Sequence, residues 1–178
     1  MNISSPTSTQ QHALKCELAG EVLRASGTLR LGVTGWSMLP TIWPEDTLVI
    51  ERIVADQVSA GDIVLFGRDG RFFVHRVVAK TGAAEDAAIV TRGDAMPQPD
   101  QPVTRHELLG RVSYIVRNGK LIEPGRSLPA PQRAIAALVQ RSDFATRVVV
   151  GVHGMIQPPV RRNSNRKAVR RQSAPCQN

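Results

Sequence analysis

Between Thr28 and Glu123 the chain is cut into short segments rich in Val and Ile, each closed by Gly, Pro or Asp. Thr28–Val33, Thr47–Ile53, Asp62–Gly67, Arg71–Lys80, Ala88–Arg92 and Leu108–Arg117 all have strand composition. No long helical pattern separates one from the next, whereas parallel pairing needs a crossover of a dozen or more residues, usually helical. Asn118-Gly119, between Ser113–Arg117 and Lys120–Glu123, is a type I′ hairpin signal, and Arg68-Asp69-Gly70-Arg71 supplies a second. These features predict a mainly β fold, an antiparallel barrel-like or two-sheet domain over residues 28–124, with flanking N- and C-terminal helices.

The flanks differ in texture. Residues 1–9 are polar and read as a lead-in, and residues 1–27 form an N-terminal arm and helix. From Gln10 to Ala25, Leu14, Leu18 and Val22 recur every fourth position, widened by Ala19 and Leu23; this predicts an amphipathic helix capped by Ser8 or Thr9 and ended at Gly27. Residues 125–156 form a C-terminal helical segment, with a second helix expected from Gln132 to about Val150. Its face of Ile135, Leu138, Val139, Ala145 and Val148 would dock on the β domain or lie on a membrane surface. Residues 157–178 are Pro-, Arg-, Ser- and Asn-rich and read as a disordered basic tail.

The net charge of +8 is concentrated in that tail, where Arg161, Arg162, Arg166, Lys167, Arg170 and Arg171 have no acid among them, leaving +2 for the rest. The charge therefore gives no ground for specific nucleic-acid binding by the β domain; the tail could touch an anionic membrane surface peripherally. Aromatics at 4% leave little material for base-stacking platforms. Cys16 and Cys176 fit neither a disulfide framework nor a metal-ligand pattern, so no cofactor or metal is expected and a reducing, cytoplasmic location is favoured. No stretch approaches the roughly 20 apolar residues of a transmembrane helix, and the polar Met1–Gln11 is no secretory signal.

Four positions carry candidate chemistry. Ser37 lies in Thr34-Gly35-Trp36-Ser37-Met38-Leu39-Pro40, just after a strand, where a turn can present its hydroxyl and its backbone N–H to the same space. His75 sits mid-strand in Phe72-Phe73-Val74-His75-Arg76-Val77-Val78, and an imidazole can accept a hydroxyl proton near neutral pH. Asp94 and Asp100 share the loop Gly93-Asp94-Ala95-Met96-Pro97-Gln98-Pro99-Asp100; either could orient His75, and either could simply be a loop carboxylate.

Taken together, Gly35-Trp36-Ser37-Met38-Leu39-Pro40, Gly61-Asp62-Ile63-Val64-Leu65-Phe66, His75-Arg76-Val77 and Thr91-Arg92-Gly93-Asp94 resemble the ordered blocks of type I signal peptidases and the related LexA-like peptidases. The resemblance covers roughly residues 30–117. The usual bacterial signal peptidases carry a lysine base where this chain has His75; the His-Arg-Val version resembles the archaeal, sporulation and endoplasmic-reticulum branch. The resemblance implies Ser37 as nucleophile, His75 as general base and Asp100 as favoured third member, with Asp94 as alternative. It implies structural Gly-Asp turns at Asp46 and Asp62, although Glu45 stands where glycine is expected. A hydroxyl residue often found two before the nucleophile is replaced by Gly35; Thr34, three before, is the candidate oxyanion contributor beside the Ser37 N–H. The family's anchoring transmembrane helix is absent from this sequence.

Three functions compete at this point. The leading one is a serine endopeptidase acting on a peptide or protein substrate, in leader or precursor processing. The second is a LexA-like self-cleaving regulator, for which Ala19-Gly20 is a suitable bond. Against it, about 27 residues precede the strands, too few for a helix-turn-helix domain, and its base would be lysine. Lys80, five residues past His75, falls on the opposite strand face. The third is a non-catalytic binding module with a basic tail.

Overall fold

The computed structural model describes residues 8–82 and 88–141. Its elements are α1 (Ser8–Ser26), β1 (Thr28–Gly32), β2 (Thr47–Glu51), a 3-10 turn (Ala55–Gln57), β3 (Ile63–Arg68), β4 (Arg71–Thr81), β5 (Ala88–Arg92), β6 (Leu108–Arg117), β7 (Lys120–Ile122) and α2 (Ala130–Arg141). Seven strands form one hydrogen-bonded path in the order β1-β2-β6-β3-β4-β5, with β7 added to β6. Every strand pairing is antiparallel. The fold is mainly β, as the segment pattern predicts, and the path runs open between β1 and β5 rather than closing into a barrel.

Both two-residue hairpins follow from their turn residues. Asp69 and Gly70 have φ of 51° and 69°, and Asn118 and Gly119 have φ of 52° and 76°, the double left-handed geometry of a type I′ turn. Those turns fix the pairings Arg68↔Arg71 and Arg117↔Lys120, and the rest of each register follows.

The coiled sheet is buried on both sides of β3. Ile63 and Leu65 join Leu23, Met38, Ile42, Leu48, Ile50, Val112 and Ile115 in one core cluster, while Val64 and Phe66 join Ala55, Val58, Val77, Ile89, Val103 and Leu108 in another. Alternation along a strand sends successive side chains to opposite faces, so a continuous apolar run is what a doubly covered strand requires.

Helix α1 has the expected period but a different phase. Ala19 and Leu23 are buried, with Gly20 between them, whereas Leu14 and Leu18 are more than 60% exposed and Val22 is 36% exposed. The small residues Ala19 and Gly20 let the helix backbone approach the sheet, where Gly20 lies near Leu109, and this outweighs the bulk of the Leu14–Leu18 ridge. Ser8 and Thr9 are already helical rather than lead-in or cap, and Gly27 closes the helix by donating its N–H to Leu23 O at 3.1 Å. In α2 Ala136 is buried and Ile135 is 37% exposed, so Ile135 does not serve the expected docking face. The remainder of the expected second helix and the basic tail lie outside the described residues. Among the described residues no helix is long and apolar enough to cross a membrane.

Glu45, which occupies the expected glycine position before Asp46, has φ of 74°. Its turn nevertheless forms: Glu45 N–H donates to Val33 O, Asp46 accepts the Trp43 N–H at 2.7 Å, and Arg117 holds the Asp46 carboxylate through Nε at 2.9 Å and a terminal nitrogen at 2.6 Å. A side chain in this region is disfavoured relative to glycine, so Glu45→Gly is expected to raise stability by about 0.5–1 kcal/mol. A urea midpoint that moves up at constant m-value checks this; an unchanged or lower midpoint contradicts it.

Candidate active site

Ser37 sits on the connection between β1 and β2. The residues that follow it, Met38, Leu39 and Ile42, are all buried, so the chain sinks into the core immediately after the serine. Leu39 N–H donates to Trp36 O and Ile42 N–H to Met38 O, closing successive turns around it. Ser37 itself is half-buried, and its backbone N–H has no hydrogen-bond partner among the described residues. It borders a cleft of about 220 Å³ lined by Leu31–Gly35 on one wall and Phe72–His75 on the other. Thr34 is exposed on the first wall, with no hydrogen bond to its hydroxyl among the described residues.

His75 pairs with Val64 in the β3–β4 ladder and is 6% exposed. Phe66 and Phe73 pack their rings beside the imidazole, each centroid 6.1 Å away, and fix its plane. Its Nε2 lies 3.0 Å from Ser37 Oγ and its Nδ1 2.6 Å from Asp100 Oδ2. Burial pushes the Asp100 carboxyl up, but hydrogen bonds from His75 and Thr91, together with the charges of His75 and Arg68, outweigh it and hold the group below its ordinary value. An ionised carboxylate only accepts, so Nδ1 must be the donor; in the neutral ring Nε2 is then left as an acceptor for the serine hydroxyl.

The two loop aspartates separate cleanly. Asp100 meets His75 and also accepts from Thr91 Oγ1 at 2.6 Å, while its own N–H donates to Thr91 O at 2.8 Å. Asp94 does not meet His75. It takes Arg76 in a two-pronged pair, Nε and a terminal nitrogen each at 2.8 Å, and accepts the Thr41 hydroxyl. Arg76 also donates to Gly61 O at 3.0 Å and Gly125 O at 2.6 Å. Lys80 donates to the carbonyls of Asp56 and Val58, outside the site.

Two contributors were not singled out from the sequence. Thr91 is fully buried at an inward position of β5 next to the apolar Ile89, and a lone hydroxyl in an otherwise apolar register is the signal that could have marked it. Gly93 packs against the serine turn: a Cβ there would lie 2.6 Å from Ser37 O and 3.2 Å from His75 Nε2. Ala95 N–H donates to that same Ser37 carbonyl at 2.9 Å, so the acid-bearing loop and the serine loop meet backbone to backbone.

Residues 4–112, well over half of the chain and with Ser37, His75, Asp94 and Asp100 among them, match the family described as Peptidase S24-like. The chain belongs to this family. It groups LexA-like and signal-peptidase-like serine peptidases, which agrees with the block order around Ser37, His75 and Gly93-Asp94. No curated protein matches the chain. Within the matched residues Ser37, His75 and Asp100 form a continuous line of hydrogen bonds.

Asp94 and Arg76 are both nine-tenths or more buried, and removing one charge of such a pair strands the other. Asp94→Asn is therefore expected to cost about 3 kcal/mol in unfolding free energy. Asp100→Asn, at a more exposed carboxylate, should leave the melting temperature nearly unchanged. Thermal unfolding of the two variants side by side decides it; equal losses contradict the division of roles.

Proposed function

We propose that the chain is a serine endopeptidase in which Ser37 is the nucleophile, His75 the general base and Asp100 the orienting carboxylate. The observation that carries this is the unbroken run from Ser37 Oγ through both ring nitrogens of His75 to Asp100 Oδ2, at 3.0 and 2.6 Å, on the rim of a cleft. Ser37 Oγ attacks the scissile carbonyl carbon while His75 Nε2 takes its proton. The developing oxyanion is met by the Ser37 N–H, with Thr34 on the adjoining wall as a second candidate donor. Collapse of the tetrahedral intermediate breaks the C–N bond, and the imidazolium returns its proton to the departing amine. Water then releases the acyl group by the same path in reverse. Asp100 stays ionised throughout and balances the imidazolium.

The cleft walls favour an extended peptide. Val33 directs its N–H and C=O toward the β2 side, so Gly32 and Thr34, one residue to either side, turn theirs away from it. On β4 the hairpin pairs Arg71 and, by alternation, Phe73 and His75 with β3, so the main-chain groups of Phe72 and Val74 point to the other edge, which β5 reaches only from Arg76 onward. A substrate strand laid between these edges would gain ladder hydrogen bonds from both sides. Leader or precursor processing, the function expected from the resemblance, uses substrate in this form.

Self-cleavage at Ala19-Gly20 is disfavoured by position. That bond lies inside α1 with Ala19 buried, and a helical peptide cannot lie extended in the cleft without unwinding α1. A purely binding function would leave the Ser37–His75–Asp100 line without a purpose.

Ser37→Ala is expected to abolish cleavage of peptide substrates while the fold persists, and Asp100→Asn to lower kcat by about 100-fold or more. Turnover by Ser37→Ala equal to that of the native chain would sink the reading. Gly93→Ala tests the packing beneath the site: its methyl must displace the Ser37 carbonyl and the Met96 side chain and crowds the His75 ring, and a shift of this order costs about 100-fold in turnover. A fully active Gly93→Ala would show that the Ser37–His75 geometry tolerates such a shift.

A further inference from the structure

Resting on the peptidase reading, we infer that Arg68 is a positioning residue that locks the Asp100 loop to the hairpin carrying His75. Arg68 ends β3, directly before the Asp69-Gly70 turn, so it belongs to the hairpin on which the base is mounted. Its side chain reaches across to the segment following Asp100. One terminal nitrogen donates to Gln101 O at 3.2 Å and the other to Pro102 O at 2.9 Å, the two carbonyls next in the chain after the acid. The guanidinium is itself fixed by Glu107, through Nε at 2.6 Å and a terminal nitrogen at 2.9 Å. Glu107 in turn accepts the N–H and hydroxyl of Thr104 at 2.8 and 3.1 Å.

The geometry is that of a latch between two parts of the site that are distant in sequence. The planar guanidinium makes four hydrogen bonds in a fixed fork, to two backbone carbonyls and both oxygens of a carboxylate, whereas an ammonium has only three N–H donors. Arg68 also lies over the Phe66 ring, 5.6 Å from its centroid, and Phe66 packs against the His75 imidazole. The same residue therefore bears on the base from one side and on its carboxylate from the other. The Arg68 hydrogen bond, helped by those from Thr104 and opposed by burial, holds Glu107 down to about 2, so the latch stays ionised across neutral and mildly acid pH. Neither Arg68 nor Glu107 touches Ser37, His75 or Asp100 through a hydrogen bond. Their effect on turnover passes through the backbone after Asp100, through the Phe66 ring and through the Arg68 charge, and only the charge survives Arg68→Lys.

The test is Arg68→Lys, which keeps the charge and loses the fork, read by steady-state kinetics and by the low-field proton resonance of His75 Nδ1–H. The expected result is kcat lower by about tenfold with KM within about twofold, and a shifted or broadened resonance. In an Asp100→Asn background the same substitution should cost less than about twofold, because the carboxylate it positions is gone. Glu107→Gln should reproduce the pattern in milder form, and it carries the test if Arg68→Lys folds poorly. An unchanged resonance, or a loss that multiplies fully with that of Asp100→Asn, overturns the latch and leaves Arg68 a stabilising residue only. The resonance does not depend on turnover. A native chain without activity whose resonance still responds to Arg68→Lys would refute the peptidase reading and keep the latch.

Discussion

The site depends on one buried pair, Arg76 with Asp94. Arg76 follows His75 on β4, and strand alternation sends the two side chains to opposite faces. The loop after β5 grips both residues: Asp94, near its start, takes Arg76, and Asp100, six residues on, takes His75. The strand is thus held from both faces by a single loop. Thr41 adds the serine loop to the same node by donating to Asp94, and Gly61 and Gly125 bind the guanidinium from two further segments. Two charges removed from water are tolerated only when their hydrogen-bonding capacity is met, and here Thr41, Gly61 and Gly125 add to the pair from three further segments. This node brings together nucleophile, base and acid without taking part in the proposed chemistry.

A register argument shows why the arrangement admits little variation. Slipping β4 by one residue against β3 would exchange the faces, presenting Arg76 to Ser37 and His75 to Asp94. The Asp69-Gly70 turn forbids that slip by fixing Arg68 opposite Arg71. Arg68, which the turn fixes in register, is also the residue that reaches the Asp100 loop. Register and site geometry are consequently enforced at the same place, some seven residues from the base along the chain.

Much of this was legible from the residues. The β segments, both two-residue turns and the antiparallel arrangement follow from composition, Gly/Asp/Asn placement and the lack of crossover helices. Ser37 and His75 stood out by their settings, but the choice between Asp94 and Asp100 could not be made, because it depends on which face of β4 each end of a loop reaches. The phase of α1 differs from the sequence expectation for a related reason. Hydrophobicity favours the Leu14–Leu18–Val22 ridge, while close approach to the sheet favours Ala19 and Gly20, and only the packing partner decides between bulk and fit. Thr91 and Arg68 were hidden because their partners lie 9 to 39 residues away and no local pattern announces a contact of that range.

The proposed choice of base explains why so much structure surrounds Asp100. A lysine acting as base must start neutral, and desolvation, which disfavours the ammonium, is what keeps it so. An imidazole must present the correct nitrogen, which a hydrogen bond from its other nitrogen to an acceptor fixes, and an ionised acceptor also balances the imidazolium. Lys80 is occupied with the carbonyls of Asp56 and Val58, so a lysine mechanism has no candidate beside Ser37 among the described residues. His75 has its acceptor, and that acceptor has its own retainers: Thr91 on the carboxylate oxygen and Arg68 on the following carbonyls. A carboxylate kept in place from two directions has no role beside a lysine base and a direct one beside a histidine. The surroundings of Asp100 therefore favour the Ser-His form of the chemistry as strongly as the identity of residue 75 does.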